Sequence, residues 1–144
     1  MKLAFAFQDY QFLLDDAAIS DDDKGIFKRI LGRTASMDET KSCFLLLTRM
    51  LEIHFKKSAV VILDEYDVPI AKASSNGYYS QMLDIMRAMM STTLKDNISL
   101  DFAVVTGCLK IAKESIFTGT NNFVSDTIVS PRLSESFGFT QADV

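Results

Sequence analysis

A chain of 144 residues with 48% apolar side chains has the length of one domain and enough apolar surface for a real core, which excludes a disordered chain. Its net charge of −4 and pI near 4.9, with no long Lys/Arg cluster, argue against broad binding to nucleic acid or to anionic membranes. No apolar stretch approaches bilayer length, so no membrane partner is expected. The segment Met1 to Phe7 starts like a secretory signal, but Gln8 and Asp9 stop the apolar run before a hydrophobic region could form. Cys43 and Cys108 both lie in apolar surroundings and read as reduced, buried thiols of a cytoplasmic protein. His54, the sole histidine, stands between Ile53 and Phe55 and reads as a packing or helix-end residue, because a zinc site would have to be built mainly from carboxylates.

In chain order, Phe5, Phe7, Phe12, Leu13 and Leu14 alternate with polar residues in a way that suits a helix packed on one side. Ser20 before Asp21, Asp22 and Asp23 is a helix opening, with a hydroxyl cap and acids at the positive end of the dipole; that helix is expected to stop near Gly32. Ser36-Met37-Asp38-Glu39 has the pattern of a capping box. Cys43, Leu46, Leu47, Met50, Leu51 and His54 then follow at helical spacing, predicting one long amphipathic helix closed by Lys56 and Lys57. Ala59 to Leu63 is a short strand rich in β-branched residues, apolar on both faces as central parallel strands are.

Asn76-Gly77 marks a turn, after which Met82, Leu83, Met86, Met89, Met90 and Leu94 form a stripe that reads as the core face of a second helix rather than as a binding surface. Leu100 to Val105 is the next strand, ending at Thr106-Gly107. One helix between the strands suffices for a crossover linking parallel neighbours, so the chain should contain a βαβ unit. Beyond Gly107, Ile111 to Gly119 suggests a short helix between loops, and Thr140 suggests the cap of another.

The chemistry sits in Val60-Val61-Ile62-Leu63-Asp64-Glu65-Tyr66-Asp67. In open α/β sheets ligands bind beyond the carboxyl ends of the strands, and Asp64-Glu65 and Thr106 fall at two such ends. Asp64 would hold Mg²⁺ directly or through water, Glu65 would orient or deprotonate the water attacking a γ-phosphate, and Thr106 and Lys110 would contact the phosphates. The plain alternative is that acids merely end the strand and cap the following helix, with Asp67 before Val68-Pro69 as a turn former, Tyr66 as packing, and Lys110 and Lys113 as solvated cations. A phosphate loop needs two glycines four residues apart followed by Lys and Ser or Thr; the chain contains none, and the stretch Gly25 to Thr34 has too wide a spacing and a helical interior.

These residues resemble the bacterial AAA-ATPase-like proteins, which typically join an N-terminal P-loop ATPase region to a C-terminal PD-(D/E)XK nuclease-like region. The resemblance rests on Val61 to Pro69, on Asn76-Gly77-Tyr78-Tyr79, on Phe102 to Phe123, and on Phe137-Gly138-Phe139-Thr140. It implies an α/β fold, a partial P-loop NTPase-like parallel sheet with flanking helices. The Walker B and sensor strands would be present and the Walker A strand absent. Asp64 and Glu65 would be the Walker B pair, with Thr106 at the end of the sensor strand. Where family members usually carry Arg, this chain has Lys110, replacing a planar fork by a point charge.

The family's Walker A strand would precede Met1 and its nuclease-like region would follow Val144, so the chain is expected to be one partial domain, 1–144, from the middle of a longer protein. ATP and Mg²⁺ are the cofactors expected of the complete domain. The isolated chain is expected to be inactive, because the positioning that dominates phosphoryl transfer is missing. An apolar parallel edge left without its neighbour would favour self-association or pairing with a complementary fragment. The alternative reading is a protein-interaction module that keeps the fold and no chemistry. A metal-dependent hydrolase ranks last, since the companion lysine and spaced second acid it needs are not evident.

Overall fold

A computed structural model describes residues 3–95, 97–108, 124–127, 130 and 132 of the chain. In order they form α1 (Leu3–Gln8), a 3₁₀ turn (Gln11–Asp15), α2 (Asp21–Leu31), α3 (Met37–Lys41), α4 (Cys43–Phe55), β1 (Ala59–Leu63), α5 (Val68–Ser75), α6 (Tyr79–Leu94) and β2 (Leu100–Val105). The expected short helix at 111–119 and the cap at Thr140 lie outside the described residues.

The caps are where hydroxyl chemistry puts them. Ser20 Oγ accepts from the Asp23 amide at 3.2 Å, and Ser36 and Glu39 complete a reciprocal capping box, Ser36 Oγ accepting from the Glu39 amide at 3.2 Å and Glu39 from the Ser36 amide at 2.8 Å. Arg29 reaches across from α2 to the same Glu39 carboxylate at 2.5 Å. Asp23 in turn is paired by Arg49 of α4, so charge pairs link α2 to both of the following helices.

Three expectations are corrected here. The long helix after Ser36 breaks at Ser42, whose hydroxyl donates to the Asp38 carbonyl at 2.9 Å and whose backbone leaves the helical region, giving α3 and α4. The N-terminal helix breaks at Asp9-Tyr10; Phe7 and Leu13 go inward, while Phe5 and Phe12 stay exposed. Asp67-Val68-Pro69 begins a helix, α5, rather than a simple turn, because proline is well placed in a first helical turn, where its missing N–H costs nothing. Two helices therefore lie between the strands, not one. The expected stop near Gly32 is borne out: Gly32 caps α2 in a right-handed conformation, and Arg33 just beyond it turns left-handed, at φ 60°.

The main core joins Phe7, Leu13, Phe27, Ile30, Cys43, Leu46 and Met50, with the Phe7 and Phe27 rings 4.9 Å apart. Burying two such rings is worth about 2–3 kcal/mol each, so these residues fasten α1 and α2 to α4. A smaller cluster of Ile70 and Met90 joins α5 to α6 beneath Leu63 and Tyr66. Met89 and Met90 are buried and Met82 and Met86 half-buried, as the methionine stripe predicts. The core also excludes water from the Cys43 thiol, and this burial pushes its pKa up to about 12. Cys108, expected buried, is exposed.

β1 and β2 pair in parallel, with Val60 opposite Phe102, Ile62 opposite Val104 and Leu63 opposite Val105; a register irregularity separates Ala59 from Val60. A buried asparagine fixes where β2 begins. Asn97 Nδ2 donates to Thr48 Oγ1 at 3.1 Å and to the Thr93 carbonyl at 3.0 Å, while its Oδ1 accepts from the Ser99 amide at 3.1 Å. α4 and α6 pack against the sheet, covering the side on which Val61, Leu63, Ala103 and Val105 are half-buried. On the opposite side Val60, Ile62, Phe102 and Val104 are exposed, so the strands expected to be apolar and covered on both faces are covered on one among the described residues.

His54 is exposed at the last turn of α4 and does serve as a helix-end group. Its Nδ1 meets Asp16 Oδ2 at 2.8 Å and its ring rests 5.2 Å from Phe12 and 4.7 Å from Phe55, tying the 3₁₀ segment to the end of α4.

Candidate functional site

The two strand ends are held together by backbone bonds that carry the parallel ladder one step past the strands. The Thr106 amide donates to the Leu63 carbonyl at 2.8 Å, and the Tyr66 amide donates to the Thr106 carbonyl at 3.1 Å. These bonds fix Thr106 beside Asp64, and the Thr106 hydroxyl donates to Asp64 Oδ1. The structure thus joins two residues 42 positions apart that the sequence placed at neighbouring strand ends.

Glu65 follows in the left-handed region at φ 53°, the sharp turn that lets the chain leave β1 and enter α5. Non-glycine residues seldom adopt that conformation, which costs about 1–2 kcal/mol, and such strain concentrates at sites where a side chain must be aimed. The Glu65 carbonyl accepts from Val68 at 3.1 Å, and the Asp67 carbonyl accepts from Ile70 at 3.1 Å and Ala71 at 2.9 Å, so the turn is anchored in the first turn of α5. Asp64 and Glu65 are exposed, whereas Asp67 is 4% exposed. Asp67 is therefore a buried helix-start residue, and Tyr66 packs on the Ile70–Met90 cluster.

Lys110 lies outside the described residues. Gly107, which the sequence offered only as the end of a strand, proves to be spatially required, because a Cβ there would stand 2.6 Å from both Tyr66 Cε1 and Asp67 Oδ1. The Thr-Gly pair after an apolar strand was the available signal.

Among the described residues no group of three or more His, Cys, Asp or Glu side chains could enclose a metal ion. Mg²⁺ needs no such cage, since it keeps several waters and is held by one or two carboxylates together with substrate phosphates. The chemistry of Asp64 is compatible with that mode of binding, since the residue is exposed and one of its oxygens is held by Thr106, and Glu65 stands next to it in the chain.

Comparison with known proteins places the chain in a family. Residues 10–117 match the AAA-ATPase-like family, described as predicted AAA-ATPase. The chain belongs to the AAA-ATPase-like family. The matched range includes both strands, the whole Asp64–Thr106 junction and Lys110. The chain is also 30% identical over 120 residues to an uncharacterized protein in the vnfD 5′ region of Azotobacter chroococcum mcd 1, a match covering 83% of this chain and 23% of that protein. It therefore spans about a quarter of the length of that relative. No solved structure matches.

Proposed function

We propose that this chain is the part of a P-loop ATPase that carries the Walker B strand, β1, and the sensor strand, β2, within a longer cytoplasmic protein that binds and hydrolyses ATP with Mg²⁺. The observation that carries the reading is the Thr106 hydroxyl on Asp64 at the carboxyl ends of paired parallel strands. That is where α/β sheets bind ligands and where phosphoryl-transfer sites keep their metal-holding acid.

In this reading Asp64 holds Mg²⁺, Thr106 fixes the orientation of the Asp64 carboxylate, and Glu65 aligns the water that attacks the γ-phosphate. Bound Mg²⁺ would offset the charge on the transferring phosphate. Lys110 supplies a cation toward the phosphates. Residues 1–144 form a single partial domain, inactive alone for want of a phosphate loop. The side of β2 that has no neighbouring strand among the described residues pairs with a complementary segment or another copy.

Amide chemical-shift mapping with MgCl₂ tests the metal role. Changes are expected at Asp64, Glu65 and Thr106 in the millimolar range and should vanish in Asp64→Asn; a titration that leaves those amides unmoved would remove the reading. Phosphate release from Mg·ATP is expected to be absent. Turnover that depends on magnesium and disappears in Glu65→Gln would overturn the inactivity of the isolated chain. A monomeric light-scattering peak across micromolar concentrations would contradict pairing between copies.

The second reading, an interaction module without chemistry, is favoured by one observation: the exposed apolar face formed by Val60, Ile62, Phe102 and Val104.

A further inference from the structure

The turn between α5 and α6 brings together the groups for a reaction that needs only water. Asn76 and Gly77 are exposed, as are their neighbours from Ser74 to Ser80. Gly77 stands in the left-handed region at φ 78°, and a Cβ there would meet nothing within 4 Å. Among the described residues its amide donates to no acceptor. The backbone nitrogen beside the Asn76 carboxamide is thus unshielded by a side chain and has no hydrogen bond to give up. Asn97, the other asparagine among the described residues, is the opposite case. It is buried, it precedes the β-branched Ile98, and its side chain is held by Thr48, Thr93 and Ser99.

We propose that Asn76 is a site of spontaneous deamidation through a cyclic imide, and that the conversion releases the end of α5. The Gly77 nitrogen forms a bond to Asn76 Cγ, the Cγ–Nδ2 bond breaks, and the Gly77 amide proton passes to Nδ2, which leaves as ammonia. Water then opens the imide. Attack at Cγ gives aspartate; attack at the main-chain carbonyl gives isoaspartate, in which the backbone runs through Cβ and Cγ. Nothing is oxidised or reduced.

The fold sets the pace. Closing the imide needs Cβ and the Gly77 nitrogen nearly eclipsed about the Asn76 Cα–C bond, whereas ψ of 9° holds them far apart. Rotation about that bond carries Tyr78 with it, and Tyr78 is held by its amide on the Ala73 carbonyl at 3.1 Å; Asn76 Nδ2 is itself held on the Lys72 carbonyl at 2.7 Å. The reaction therefore runs in molecules whose α5 end has opened. Either product replaces the amide donor by a carboxylate, which cannot donate to Lys72 and puts a negative charge at the negative end of the α5 dipole. Both effects favour the opened end, so the change is one-way. The inference is independent of the Asp64 site.

The chain is incubated at mildly alkaline pH in buffer and, in parallel, in guanidinium chloride. Conversion is read by peptide mapping, as the mass increase of amide to acid, and by labelling with an isoaspartyl methyltransferase. In buffer Asn76 should convert before Asn97 and about tenfold more slowly than in denaturant, the effect of holding about one hydrogen bond. Asn76→Gln keeps an amide donor but needs a larger ring, so it should remove the label while the Cys43 thiol stays protected. In the converted chain and in Asn76→Asp the Tyr78 amide should exchange with solvent about tenfold faster than in the parent. An intact Asn76 in buffer when the denatured sample is fully converted, earlier conversion at Asn97, or labelling that persists in Asn76→Gln overturns the site. Equal rates in buffer and denaturant overturn the brake, and unchanged Tyr78 exchange overturns the release of α5.

Discussion

Gly107 lies against Tyr66 with no room for a side chain: a Cβ on Gly107 would stand 2.6 Å from Tyr66 Cε1 and 2.7 Å from Cδ1. The contact lies immediately after Thr106, so it holds the chain leaving β2 down on the turn that leaves β1. Gly107→Ala is expected to cost about 1–3 kcal/mol in urea unfolding, as overpacking does, because both the ring and the buried Asp67 would have to shift. Removing the ring should relieve part of this, so Tyr66→Ala combined with Gly107→Ala should cost less than the two single losses added together. Strict additivity would mean that the ring does not oppose the added methyl.

Lys56 and Glu65 both occupy the left-handed region, at φ 56° and 53°, but in different settings. Lys56 ends α4 with its amide donating to the Glu52 carbonyl at 2.8 Å, the ordinary work of a helix terminus. Replacing either by glycine removes the side-chain penalty of that conformation, and each variant should gain about 0.5–1 kcal/mol in denaturant unfolding. For Glu65→Gly that gain would come with loss of the exposed acid next to Asp64, the trade expected where strain serves a site rather than the fold. If Lys56→Gly is stabilised and Glu65→Gly is not, the Glu65 conformation carries no strain and that part of the site argument falls.

The two strands were legible because β-branched apolar runs between charged segments leave little else to form, and the caps at Ser20 and Ser36 because a hydroxyl before acidic residues acts through bonds within one turn. What escaped was set by distant packing. Pro69 is equally at home in a loop and in a first helical turn, and only the burial of Ile70 against Met90 selects the helix. Ser42 interrupts a run whose periodicity continues across it, so spacing alone could not reveal the break. At the site, sequence named Asp64 and Thr106, but their hydrogen bond depends on a register between segments 42 residues apart. Asn97, which sets the start of β2, gave no signal, since its partners Thr48 and Thr93 are scattered along the chain.

The cysteines should differ sharply toward a thiol reagent such as DTNB. Reaction needs the thiolate; Cys108 is exposed, while Cys43 is fully buried with its pKa pushed up to about 12. One equivalent should react quickly at pH 8 and disappear in Cys108→Ser. The second should appear only in denaturant, at the rate of unfolding. Rapid reaction of both thiols in the folded chain would show that the core around Cys43 opens readily.

Acid should loosen the α2–α3 junction through Glu39. Its hydrogen bond from Arg29, with the Ser36 amide also donating to it, lowers its pKa from 4.5 to about 2. A carboxylate whose pKa is depressed by folding contributes stability that is fully present above the unfolded value and is lost as pH falls through the folded one, so the loss belongs between roughly pH 4.5 and 2. Asp16, lowered by the Ala18 amide and by His54, acts in the same direction at the 3₁₀ segment. Glu39→Gln should therefore be less stable than the parent at neutral pH and converge with it as pH approaches 2. Because the group lies at the surface, added salt should shrink the arginine's share of the difference. A gap between parent and variant that stays constant from pH 6 to pH 2.5 in thermal unfolding would show that the glutamate acts through shape rather than charge.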